Sequence, residues 1–175
     1  MILVLHSYGA WPGSRAVKGF DTEARRNAGK KTSIVEVVFV AAFIIADNAL
    51  KKQYSYLPPW LDVKDNARRL NEQAIPLLFG DMDEATAKKW IAKSAWQYND
   101  FDDDEIVPDA SWKLSVPKTY IVTMNDETAH TTFQLDMLKS VINRTWAIKT
   151  IPSGREPFLS RPKDFVQVLL QPVIR

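Results

Sequence analysis

The first apolar run, residues 2–5 (Ile-Leu-Val-Leu), leads without a polar break into His6-Ser7-Tyr8-Gly9. A short run with no alternation is the pattern of a strand covered on both faces. Residues 10–29 place Ala16, Val17, Phe20 and Ala24 at helical spacing, and Gly29-Lys30-Lys31 supplies the glycine and the cations that end a helix. Residues 33–43 are β-branched and nearly continuous, which predicts a second buried strand. Lys118–Thr123 predicts a third strand and Trp146–Ile151 a weaker fourth. Helices are expected over 127–142 and over Pro162–Leu170, the latter with proline in its first turn. Strands alternating with crossovers of this length predict an α/β fold with about four parallel strands and flanking helices.

Residues 44–117 interrupt that alternation. They hold Tyr54, Tyr56, Pro58-Pro59 and Trp60, then a helix over 83–95, then an acidic loop over 98–104. Asp83 can cap the helix, and Ala85, Trp90 and Ile91 mark one face. A helical insertion of this length predicts a lid over the carboxyl edge of the sheet, where ligands bind in α/β folds. The plainer reading is a thicker outer layer with no ligand.

Composition narrows the chemistry. At 175 residues the chain fits a single domain. A net charge of +2, from 23 basic and 21 acidic side chains, is too balanced to argue for nucleic acid. With no cysteine, disulfides, thiolate catalysis and cysteine–zinc sites are excluded. Only His6 and His130 carry imidazole, so a histidine-rich metal site is excluded; no metal or other cofactor is expected. The opening apolar run is too short for a membrane span or a signal peptide, from which a cytoplasmic location is expected.

A strand ending at serine, glycine two residues on, then a helix, is the arrangement of a nucleophile elbow. The tight turn needs small residues two positions either side of the serine; Gly9 meets this and Leu5 departs from it. The same pattern fits a serine that merely caps a helix. Asp126, after the third strand, likewise fits the cap of the helix that follows it.

Five stretches, in order, resemble the α/β-hydrolase superfamily, in its esterase and hydroxynitrile-lyase-like group. Residues 4–10 (Val-Leu-His-Ser-Tyr-Gly-Ala) resemble the elbow, and 37–43 the next strand and its exit. Residues 57–60 (Leu-Pro-Pro-Trp) and 77–90 resemble the lid. Residues 120–126 resemble the strand that delivers the acid, and 153–162 (Ser-Gly-Arg-Glu-Pro-Phe-Leu-Ser-Arg-Pro) a segment S-G-H-x-P-F-L-S-x-P. The resemblance implies Ser7 as nucleophile, the Tyr8 backbone N–H as an oxyanion donor, Asp126 as the acid, and Tyr56, Trp60 and Trp90 in a lid or pocket wall. It places the catalytic histidine at position 155, where this chain has arginine. A guanidinium stays protonated and cannot take a proton from serine. His130 is the alternative base.

The resemblance also implies a partial, truncated domain that starts from the nucleophile strand, since several strands precede the elbow in the family. The first strand then becomes a sheet edge whose apolar side chains lose cover on both faces, a route to self-association. Three readings follow: an esterase relative that is impaired or inactive, a pseudoenzyme; a hydrolase or lyase with rearranged chemistry; or a non-catalytic module that binds an apolar or aromatic small molecule.

Overall fold

The computed structural model describes residues 1–44, 58–98, 111–139, 141–142 and 146–171. Its main sheet has four strands, β1 (Ile2–His6), β2 (Glu36–Val40), β6 (Lys118–Thr123) and β7 (Trp146–Ile151), in the order β1-β2-β6-β7. All three pairings are parallel. The carboxyl ends of the strands therefore lie along one edge, and the loops that leave them meet there.

Strict alternation divides the apolar residues between two layers. Leu5, Phe39 and Tyr120 are register partners across the sheet. They share one buried cluster with Val37, Val122, Trp146, Val17 and Leu138. On the other face Val38, Val40, Ile121 and Ile151 pack under Phe165, Val168 and Leu169 of the last helix, α7 (Pro162–Leu170). β2 is thus covered on both faces, which accounts for its unbroken apolar sequence. β1 is covered on one face only. Leu3 and Leu5 turn into the core, while Ile2 and Val4 are exposed. The expectation that β1 loses cover on both faces is corrected by that alternation.

Two helix expectations shift for local reasons. Residues 10–29 form two short helices, α1 (Ala10–Arg15) and α2 (Thr22–Asn27). Gly19 takes φ +81° between them, and Asp21 starts the second by accepting from the Glu23 and Ala24 N–H groups at 3.1 and 3.0 Å. Of the expected stripe only Val17 is buried. The helix expected over 127–142 is α5 (Thr131–Lys139), because the backbone after β6 first turns around Asp126.

The insertion after β2 is not purely helical. β3 (Leu61–Lys64) and β4 (Ala67–Leu70) form a hairpin, and β5 (Gln97–Tyr98) adds a third antiparallel strand. Asp65 and Asn66 both take positive φ in the two-residue turn, the conformation such a hairpin requires. Helices α3 (Ile75–Leu78) and α4 (Glu84–Ala92) complete the described part. Asp83 caps α4 through the Thr86 N–H at 2.9 Å, as expected. The buried face of α4, however, is Ala87 and Ile91, one turn apart, and not Ala85 or Trp90. Among the described residues no helix is long and apolar enough to cross a membrane.

Candidate active site

β1 ends at His6 and the chain turns at once through Ser7, Tyr8 and Gly9. Ser7 takes φ +51°, a left-handed conformation that costs a non-glycine residue about 1–3 kcal/mol. Hydrogen bonding holds it there: the Ser7 carbonyl accepts from the Phe43 N–H at 3.1 Å, tying the elbow to the exit of β2. The close approach expected at Gly9 falls elsewhere. A side chain at Gly9 would meet nothing, whereas one at Gly13 of α1 would run into Leu5. The chain thus carries a large residue two positions before Ser7 by keeping glycine opposite it on the following helix.

Asp126 lies in the loop after β6. Asp126 is buried, 2% exposed. Its Oδ1 accepts from the Thr128 and Ala129 N–H groups at 2.8 and 2.9 Å, and its Oδ2 from the Thr123 hydroxyl at 3.2 Å. Gln134 on α5 braces this turn, donating to the Thr123 carbonyl at 2.9 Å and the Ala129 carbonyl at 2.7 Å. Asp126 does not cap the helix, which starts at Thr131: one of its oxygens orders the turn before the helix, and the other accepts from Arg155.

Arg155 joins the two. Its Nη1 donates to Asp126 Oδ2 at 2.8 Å and its Nη2 to Ser7 Oγ at 2.5 Å. The residue is 2% exposed and its guanidinium lies 4.7 Å from the Phe43 ring centroid. The loop that carries it is fixed from outside the sheet, since the Gly154 N–H donates to Asp81 Oδ2 at 2.6 Å. Neither Asp81 nor Gln134 stands out in the sequence, as nothing in the spacing marks a residue that acts by holding a neighbouring loop in place.

His130 is exposed at the start of α5, and among the described residues no hydrogen bond joins its ring to Ser7 or Asp126. The structure does not bring this alternative base to the site. Tyr8 stacks on Trp11 with centroids 6.4 Å apart, and the Arg68 guanidinium of β4 lies 5.7 Å from its ring centroid. Trp60 packs against the insertion's own cluster around Leu78 and Phe79. Trp90 is exposed beneath Lys93, whose Nζ lies 5.0 Å from its ring centroid. Tyr56 lies outside the described residues. Among the described residues no group of three or more His, Asp or Glu could hold a metal ion.

No family model matches the chain. No curated protein matches it either. Solved structures do match. Polyneuridine aldehyde esterase superposes with a TM-score of 0.71 at 19% identity, over 97% of this chain and 70% of that one. A tomato methylketone synthase I variant, solved with β-ketoheptanoate, gives a TM-score of 0.72 at 16% identity over 97% and 69%. A pyrethroid hydrolase from Sphingobium faniae gives 0.63 at 15% over 96% and 68%. The chain has the α/β-hydrolase fold. Within that fold the turn at Ser7, the loop that carries Asp126 and the loop after β7 meet at the carboxyl edge of the sheet.

Two more titratable groups border Arg155. His6 Nε2 lies 3.0 Å from the Arg155 carbonyl and 3.5 Å from Glu156 Oε2, and its ring meets Phe158 edge-on. A carbonyl only accepts, so Nε2 carries the proton. Burial, then the Arg155 charge, lowers the His6 pKa to about 4, so the ring is neutral at pH 7. Burial raises the Glu156 pKa to about 7, with Arg155 opposing and Asp126 and Asp81 reinforcing.

A carboxyl that holds its proton more tightly when folded contributes stability at low pH, and that contribution is lost as pH rises through about 7. His6 acts in the opposite sense: its contribution is present above its unfolded pKa and lost as pH falls through about 4. Glu156→Gln mimics the protonated acid. Its melting temperature relative to the unaltered protein is expected to rise between about pH 5 and 7.5 and then level off. A difference independent of pH would show that Glu156 ionises freely in the fold.

Proposed function

We propose that this protein is a relative of the serine esterases in which ester hydrolysis is impaired or lost. One observation carries the reading: the group between Ser7 and Asp126 is a guanidinium. In a serine hydrolase the imidazole at this place takes the serine proton and later gives it to the leaving group. A guanidinium has only donors to offer. It donates to Ser7 Oγ and leaves the hydroxyl proton where it is. Loss of the base lowers turnover in related triads by about 10⁴–10⁶-fold. The meeting of Ser7, Asp126 and Arg155 at one edge of the sheet and the insertion between β2 and β6 support the reading. The neighbours in fold include esterases, which supports carboxylic esters as the ancestral substrate class.

The reaction test is direct. Turnover of p-nitrophenyl acetate by the unaltered protein is expected to equal that of Ser7→Ala. Turnover that disappears in Ser7→Ala would overturn the reading.

The second reading, a module that binds a small molecule without changing it, is favoured by the ordered hydrogen bonding that keeps Ser7, Arg155 and Asp126 together.

A further inference from the structure

We propose that Ser7 and Arg155 form a receptor for the carboxylate group of a small organic acid. The inference rests on the reading above, that Ser7 is not a nucleophile, and names the ligand class of the same site.

The polarity of the hydrogen bond decides what the serine can do. Oγ accepts from Nη2, so the Ser7 proton points away from Arg155. Among the described residues that proton has no acceptor, and Ser7 itself is half-buried beside exposed Tyr8 and Gly9. The guanidinium is in the same condition. Of its five N–H donors, one is used on Asp126 and one on Ser7; the other three have no partner among the described residues. Arg155 is nonetheless 2% exposed. Its Nε is not among the buried unpartnered atoms, so solvent or a ligand reaches the guanidinium, and its spare hydrogens can take an acceptor. The second Nη2 hydrogen and the Ser7 hydroxyl lie on adjacent atoms, two donors suited to the two oxygens of one carboxylate.

Charge selects an anion over a neutral carbonyl compound. Asp126 is bound at Nη1, on the far side of the guanidinium from the Ser7 contact. At both bordering groups the effect of Arg155 outweighs that of Asp126. Asp81 is turned onto the Gly154 N–H, and Arg68 brings a second cation over Tyr8, the residue after the elbow serine.

The test is calorimetric titration with sodium hexanoate and sodium phenylacetate, set against methyl hexanoate and hexanol, on the unaltered protein and on Ser7→Ala. Saturable binding of an acid is expected, at least tenfold tighter than its ester or alcohol, and weakened about tenfold in Ser7→Ala. An ester bound as tightly as its acid would overturn the proposal, as would no saturable binding of either acid. Both readouts use the unaltered chain and survive a variant that fails to fold. Equal affinity in a folded Ser7→Ala would also overturn it. Ser7-dependent turnover of p-nitrophenyl acetate would sink the impaired-esterase reading whatever the acids do. A protein without that turnover that ignores both acids would sink the receptor alone.

Discussion

Asp126→Ala is expected to cost about 3–5 kcal/mol of stability, the usual penalty for removing one partner of a buried ion pair. In a chain of this size that lowers the melting temperature by roughly 10 °C. The magnitude follows from what is left behind. The Arg155 guanidinium, its side chain 3% exposed, would keep its charge with no counter-charge bound to it. The Thr128 and Ala129 N–H groups would lose their acceptor in the same step. Asp126→Asn keeps an acceptor oxygen for the turn and loses only the charge, so it should fall between. The double change Asp126→Ala with Arg155→Met removes both charges and should recover a large part of the loss. Urea melts of the four proteins give the comparison. A loss under about 1 kcal/mol in Asp126→Ala would mean that the pair is solvated, as exposed ion pairs are.

Arg155→His is expected to raise Ser7-dependent turnover of p-nitrophenyl acetate by about a hundredfold or more, since a positioned general base contributes about 10²–10⁴-fold. The two terminal nitrogens of a guanidinium flank a single carbon, as the two nitrogens of imidazole do. The imidazole is the shorter side chain, so a small inward shift of the loop after β7 would bring its Nδ1–H to Asp126 and its Nε2 lone pair to the Ser7 hydroxyl. The supports are already present: Asp81 fixes Gly154, Gln134 braces the acid turn, and Phe43 ties down the elbow. Arg155→Gln fills the space without supplying a base and should leave turnover at the unaltered level. No gain in a folded Arg155→His would mean that position 155 is not where a base can work on Ser7.

The strands were legible because burial on both faces leaves no room for polar residues, as in β2 with Val37 and Phe39 on one side and Val38 and Val40 on the other. The helices were less so. Residues 10–29 have helical spacing, yet one glycine at positive φ and one capping aspartate divide them, and most of the expected stripe faces solvent. The small sheet of the insertion was missed because its strands are short and polar, with Arg68 and Arg69 in the middle one. At the site, Ser7, Asp126 and Arg155 were found through motifs whose spacing the fold had set. The groups around them were not: His6 and Glu156, from opposite ends of the chain, meet only where the end of β1 and the loop after β7 come together, and Arg68 reaches Tyr8 across a hairpin that no motif announced.

The unactivated serine is the centre of the account, and its reactivity can be read without knowing any substrate. Incubation with a fluorophosphonate at pH 7.5, followed by mass spectrometry of the peptide that contains Ser7, measures whether the hydroxyl is a nucleophile. The account predicts no adduct at Ser7 in the unaltered protein and a time-dependent adduct in Arg155→His. Rapid labelling of Ser7 with Arg155 in place would contradict it.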